Sequence, residues 1–408
     1  MKKKKQPWVR LRHKVVTFIL RPIISLWARA KYDVKVEPFD GEGERQFLVM
    51  MNHQTAFDQF FVAMAFRQPV YYIASEDLFS KGFISRLLEW AVAPIPIKKQ
   101  TTDLKATRIA LQVAREGGTI ALAPEGNRTF SGRTCYFNPA IVKMVRMLKL
   151  PLAIFRIEGG YGVHPRWSDV VRRGGMRAGV RRVIEPEEYL KLTNDELHAL
   201  LERELWVDEA NTDREYHHPR LAEYLERAMY VCPHCGLSDF ESNGDVIVCK
   251  KCERQIRYLP NTALQGVNCD DFPFPHVGHW YDWQCDYIRQ LDLAAWMDTP
   301  IHTDEVQFYE VIPYKNKVLI DKKTQLRLYG DRIEVGPESA PLQVFPFDET
   351  GTVTVLGKNR VNLYIGDKLY QFQSGERFNA LRYVNIFYHY QSRKKKGEGA
   401  EEVEFLGL

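Results

Sequence analysis

His53 and Asp58 stand five residues apart in Asn52-His53-Gln54-Thr55-Ala56-Phe57-Asp58. On one continuous helix, at ~100° per residue, their side chains would point about 140° apart. They can meet only if His53 lies in a loop after a strand and Asp58 in the first turn of the next helix, with Thr55 as the expected cap of that helix. Such a pair suits base catalysis. An imidazole takes a proton from a hydroxyl near neutral pH. A carboxylate on the other ring nitrogen fixes the tautomer and stabilises the imidazolium that forms.

A second group follows another apolar run, in Ala123-Pro124-Glu125-Gly126-Asn127-Arg128-Thr129. Loops at the carboxyl ends of strands are where α/β folds place ligand groups. Gly126 allows close backbone approach, and Arg128 offers a planar fork suited to phosphate. Either group alone is an ordinary loop. Both together, in this order and each after a strand, define a candidate site.

A third group is cysteine-based. Cys232-Pro233-His234-Cys235 and Cys249-Lys250-Lys251-Cys252 form C-x2-C, thirteen residues, C-x2-C. Four thiolates at this spacing can close a tetrahedral structural zinc site, with Cys235-Gly236 as the tight turn. Two disulfides are the rival and would need an oxidising compartment. His234 sits between ligands and is expected to point away. Cys135, Cys269 and Cys285 lack partners at ligand spacing and read as buried thiols. Around the ribbon, Lys250, Lys251, Arg254 and Arg257 are balanced by Asp239, Glu241, Asp245 and Glu253. This favours a structural or docking role over nucleic-acid binding.

Positioning these groups requires several elements. Phe47–Met51, Val70–Ala74, Thr119–Ala123, Pro151–Ile157 and Arg177–Ile184 read as strands. A helix through Leu104, Ile109, Leu111 and Val113 should stop at Gly117-Gly118. This alternation predicts an α/β layer fold, a mixed sheet flanked by helices, over residues 37–228. A zinc ribbon is expected over 229–258. A connector over 259–302 follows, with an aromatic-rich helix from Trp280 to Trp296. Short strands with turns at Tyr314–Lys317, Tyr329–Asp331, Leu356–Asn359 and Ile365–Asp367 predict a small β-barrel module over 303–395. A helix from Phe378 to Tyr390 would close it. The charged tail from Ser392 reads as disordered, and 396–408 is set apart as tail.

The 408 residues are too many for one compact core, and 45% hydrophobic content excludes a disordered chain. Net charge is only +5, but it is uneven. Residues 1–36 hold eleven Lys or Arg and one acid, Asp33, hence +10, which leaves −5 for the rest. A basic arm on an acidic body implies an anionic partner surface. Within the arm, Val15–Ala28 is apolar but interrupted by Arg21 and Pro22. It is too short to span a bilayer, which takes ~20 residues. This mixture predicts a helix lying in a membrane interface, and the partner surface is read as the cytoplasmic face of the cell membrane, held peripherally or monotopically. A core helix and a signal peptide ending at Ala28-Arg29-Ala30 are the other readings.

These blocks resemble the lysophospholipid acyltransferase family, whose first block is N-H-x-x-x-x-D and whose third is close to F-P-E-G-T-R-S. Asn52, His53 and Asp58 match the first, and Pro124, Glu125, Gly126 and Arg128 the third. Ala123, Asn127 and Thr129 depart from it. The second block, near G-x-I-P-V-D-R, is looser: Ile95, Pro96 and Ile97 fit, Lys99 stands for the Arg, Lys98 for the acid and Ala93 for the Gly. Pro151 marks the fourth. The resemblance covers about residues 37–190. It implies transfer of an acyl group from acyl-CoA or acyl carrier protein to a lysophospholipid hydroxyl, with no catalytic cofactor. His53 would be the base and Asp58 its partner, with Asn52, Lys99, Glu125, Gly126 and Arg128 at the acceptor. Two other functions compete with this one. A lipid hydrolase is disfavoured because no G-x-S-x-G elbow occurs. A membrane adaptor with a degenerate domain is disfavoured by the intact His53, Asp58 and Glu125. Arg166, Arg172, Arg173, Arg177, Arg181 and Arg182 form a second basic cluster, read either as a phosphate contact or as a solvated edge. Residues 303–395 are similar in strand pattern to a pleckstrin-homology-like fold, and Arg393–Lys396 could add membrane attraction.

Overall fold

The computed structural model describes residues 7–79, 82–97, 104–209, 212–312, 317–337 and 343–397. The chain divides into two units. One comprises 1–165 with 171–209, the other 166–170 with 210–405.

The first unit is built on a seven-stranded sheet. Its strands are β1 (Val34–Val36), β2 (Leu48–Met51), β3 (Val70–Ser75), β4 (Ile95–Ile97), β5 (Thr119–Leu122), β6 (Leu152–Glu158) and β7 (Met176–Ile184). Their order is β1-β7-β6-β2-β5-β3-β4. The five strands from β6 to β4 run parallel, β7 is antiparallel to β6, and β1 is parallel to β7. All four residues of β2 and of β5 are buried, as expected of central parallel strands covered on both faces. The core includes Leu48, Met50, Ile120 and Ile154, packed with Val113, Val145 and Leu201 from helices.

The helices are α1 (Leu11–Tyr32), α2 (Asp58–Ala65), α3 (Phe83–Val92), α4 (Leu104–Arg115) and α5 (Ile141–Leu148), with further helices beyond. In α4, Ala106, Ala110, Val113 and Ala114 are buried at helical spacing. The helix ends where the sequence predicts. The N–H of Gly118 bonds the Val113 carbonyl and that of Gly117 the Ala114 carbonyl, with Gly117 at φ 83°. Helix α1 outruns the apolar stretch that suggested it and contains Pro22. No helix among the described residues is long and apolar enough to cross a membrane.

The second unit opens with the hairpin Val231–Cys232 and Gly236–Leu237. A four-stranded antiparallel sheet follows, from Phe240–Asn243 to Leu264–Gly266. Next comes a helix, Val277–Gln290. It breaks at Leu291, so the single helix expected from Trp280 to Trp296 is in fact a helix and a separate 3-10 turn at Leu293–Trp296. Then comes a seven-stranded antiparallel sheet, in which turns at Tyr329–Asp331, Leu356–Asn359 and Ile365–Asp367 join neighbouring strands. Residues 314–316 of the first expected turn lie outside the described residues. The last helix, Ala380–Gly397, continues past Ser392, where the sequence suggests disorder. Lys396 and Gly397 are therefore helical, and 398–408 lie outside the described residues.

The six-arginine cluster is not one basic patch. Arg166 is buried and donates to the carbonyls of Val355 and Gly357. Arg172 is buried too. Arg181 pairs with Glu37 and Glu158, and Arg182 with Glu188 and Glu204.

Candidate active site

Strands β2 and β5 are parallel neighbours, with Leu48 paired to Ile120 and Met50 to Leu122. The two loops of interest therefore leave the same end of the sheet side by side. The N–H of His53 donates to Oε1 of Glu125 at 2.7 Å, and the N–H of Thr129 donates to the His53 carbonyl at 3.3 Å.

His53 Nδ1 lies 2.8 Å from Oδ2 of Asp58. The loop-then-first-turn arrangement is as the spacing requires, since α2 begins at Asp58 itself. Asp58 is fully buried, whereas the His53 side chain keeps 24% exposure. The carboxylate also accepts the N–H groups of Gln54 and Thr55 and the Thr55 hydroxyl. A buried carboxylate with this many donors is fixed in place. It binds the Nδ1 side of the ring, so Nε2 is the nitrogen that can address an acceptor. Thr55 does not cap α2. Phe57 occupies that position without a side-chain bond, and the Thr55 hydroxyl is spent on Asp58 and the Phe57 N–H.

Two residues expected at the acceptor have other work. Asn52 is buried, and its amide pairs reciprocally with the main chain of Ile157, both bonds at 2.8 Å. Glu125 is buried, and its second oxygen accepts the Cys135 N–H at 2.8 Å. With both oxygens on backbone amides, Glu125 braces the loops. Burial pushes its pKa up to about 8, against the lowering effect of the Cys135 and His53 amides.

Gly126 sits at φ 70° in the turn closed by its N–H to the Ala123 carbonyl, and a Cβ there would meet open space. Arg128 is 8% exposed. Burial lowers its pKa, and the Asp58 carboxylate and Tyr32 oppose that shift. Ile95–Ile97 of the second block form edge strand β4, while Lys98 and Lys99 lie outside the described residues. Tyr32, at the end of α1, was not foreseen. Its ring packs 5.6 Å from that of Phe57, and its electrostatic coupling to Asp58 and Arg128 brings it to the site. Nothing in the sequence near Tyr32 signals this.

Residues 33–157 match the family model described as Acyltransferase. The matched segment lies in the first unit and marks it as an acyltransferase-type domain. Among solved structures, the chain is similar to the 1-acyl-sn-glycerophosphate (LPA) acyltransferase PlsC from Thermotoga maritima. The match has 22% identity and a TM-score of 0.39, over 48% of this chain and 80% of that one. It is also similar to the N-terminal PH domain of human ARAP2 protein, with 13% identity and a TM-score of 0.19, over 22% of this chain and 81% of that one. No curated protein matches.

In the second unit, the sulfurs of Cys232, Cys235, Cys249 and Cys252 all lie within 4.8 Å of one another. Cys232 and Cys252 are 3.7 Å apart, Cys235 and Cys249 3.6 Å. A disulfide would need about 2.05 Å. A tetrahedron with Zn–S of ~2.3 Å has edges of about 3.8 Å, so the donor set fits a zinc ion. The Ser238 hydroxyl lies 3.1 Å from the Cys249 sulfur. Cys135, Cys269 and Cys285 are buried and lie outside this cluster.

Proposed function

We propose that the first unit transfers a fatty acyl group from a thioester, acyl-CoA or acyl carrier protein, to a lysophospholipid such as 1-acyl-glycerol 3-phosphate. The observation that carries this reading is the accessible His53 ring held at 2.8 Å by a buried Asp58. Nε2 takes the proton of the acceptor hydroxyl. The oxygen attacks the thioester carbonyl, the C–S bond breaks as the C–O ester forms, and the imidazolium returns its proton to the thiolate. No acyl-enzyme is required. Gly126 and Arg128, with Lys99, would hold the acceptor phosphate, while Glu125 and Asn52 hold the loops.

The basic helix α1 would bring the unit to the cytoplasmic face of a membrane, where such acceptors reside. The four-cysteine cluster would hold a structural zinc ion in the second unit.

Thiol release from acyl-CoA, measured with and without lysophosphatidate, tests the chemistry. Transfer requires the acceptor, a hydrolase releases thiol without it, and an adaptor releases none. His53→Ala should abolish release with the fold retained, and turnover in that variant would refute the assignment.

A further inference from the structure

We propose that α3 joins α1 in a two-helix face that docks on a lipid bilayer bearing anionic head groups. This goes beyond the amino-terminal arm and rests on the reading of a lipid-acceptor enzyme. More than half of the highly exposed large apolar side chains among the described residues lie on these two helices. Phe18 is 82% and Leu26 74% exposed on α1, and Phe83 is 77% exposed on α3. Monomeric soluble proteins rarely leave large apolar patches uncovered.

On each helix the exposed groups share a direction. At ~100° per residue, the exposed residues from Leu11 to Leu26, leaving out Leu20 and Trp27, fall within an arc of about 140° on α1. The exposed residues Phe83, Ile84, Leu87 and Trp90 fall within about 120° on α3. The opposite sides face protein: His13, Ala28 and Tyr32 are buried on α1, and Ser85 on α3 donates to the Leu78 carbonyl. The helices are joined where the faces meet. Trp8 Nε1 donates to the Ala93 carbonyl at 2.9 Å, and the Arg12 guanidinium lies 5.5 Å from the centre of the Trp90 ring.

Charge selects the occupant. Helix α1 carries Arg12, Lys14, Arg21, Arg29 and Lys31 and no acid. Apolar residues flanked by cations, on helices that do not span, suit the interface of an anionic leaflet. The face also reaches the chemistry. Trp27, at the margin of the α1 face and not part of it, packs 5.1 Å from Phe57 and 5.8 Å from Phe60, beside Asp58. An acceptor leaving the bilayer would emerge near His53.

The test is flotation of the full chain with vesicles of phosphatidylcholine alone or mixed with phosphatidylglycerol. The wild type should float with the mixed vesicles and less with the neutral ones. Phe83→Asp with Leu87→Asp should reduce the bound fraction at least about tenfold, because two side chains lose their burial in lipid. Phe83→Ser with Leu87→Ser is the second variant if the first misfolds, and melting curves check both. Variants that fold and float like the wild type would overturn the proposal. So would a wild-type dimer that the substitutions split and that never floats. Thiol release on the same preparations separates the two readings. Flotation without activity removes the proposed chemistry alone, and activity without flotation removes the docking face alone.

Discussion

The N–H of His53 donates to Oε1 of Glu125 at 2.7 Å, tying together the ends of two neighbouring parallel strands. The other oxygen of Glu125 takes the Cys135 N–H, and the His53 carbonyl takes the Thr129 N–H. His53 is thus held at its main chain by one loop and at its ring by Asp58. On the proposed mechanism, Glu125 would act through His53 as a positioning residue.

Glu125→Gln tests this role. A Gln amide accepts through one oxygen, so its nitrogen would face an N–H that needs an acceptor. A buried N–H left unpaired costs ~1–3 kcal/mol. If that cost falls on His53 alignment, kcat should drop about 10- to 100-fold, with KM for lysophosphatidate nearly unchanged. Steady-state thiol release separates the two parameters. A raised KM with intact kcat would return Glu125 to acceptor binding.

The same side chain sets a pH dependence. Its folded pKa is raised to about 8, from an ordinary carboxyl value of 4.5. The folded state therefore holds a proton that the unfolded chain has released between those values. Its contribution to stability is fully present below about pH 4.5 and is lost as pH rises toward about 8. Denaturant unfolding at a series of pH values should show wild-type stability falling across this window relative to Glu125→Gln. A constant difference between the two would mean that Glu125 is already ionised when folded.

The His53–Asp58 pair was legible because a five-residue spacing admits only a loop followed by a first helical turn. The strands were legible as short buried runs, and the four cysteines by their spacing. The braces were not. Asn52 and Glu125 bind backbone atoms far away in sequence, and a main-chain partner leaves no pattern in side-chain identity. Strands β1 and β4 have three residues each, too few to establish a period. The apolar face of α3 has the helical spacing of a core-facing stripe. Only the fold shows that it points outward.

Asn52→Ala should destabilise the first unit. The amide satisfies both the N–H and the carbonyl of Ile157 just beyond the last β2–β6 pair, Met51 with Phe155. Removing it strands two buried groups, a loss of ~2–5 kcal/mol. Asn52→Asp keeps the acceptor but sets a carboxylate against the Ile157 carbonyl, so it should not rescue. Chemical denaturation measures both, and losses below about 1 kcal/mol for Asn52→Ala would refute the clamp.

Ala93→Gly should stabilise. Ala93 ends α3 at φ 42° and ψ 58°, where an L-residue is penalised by ~1–2 kcal/mol. The resembling family has Gly at this point in its second block. Glycine costs ~0.5–1 kcal/mol in chain entropy, so a net gain of roughly 0.5 kcal/mol is expected. A lower denaturation midpoint in the variant would count against it.

The cysteine cluster yields a prediction independent of turnover. Sulfur separations of 3.6 and 3.7 Å match the edges of a zinc tetrahedron and are too long for disulfides. Metal analysis of the purified chain should find one zinc ion per molecule. Cobalt substituted for it should show the visible bands and sulfur-to-metal charge transfer of a four-thiolate site. Zinc binding to the folded site is folding free energy, so a strong chelator should lower the melting temperature of the second unit. Cys249→Ser should do the same and also weaken the cobalt bands. Because Ser238 lies 3.1 Å from the Cys249 sulfur, Ser238→Ala should remove an outer-shell donor and weaken metal affinity by roughly tenfold or more. A metal-free protein that melts identically with and without chelator would exclude the zinc site.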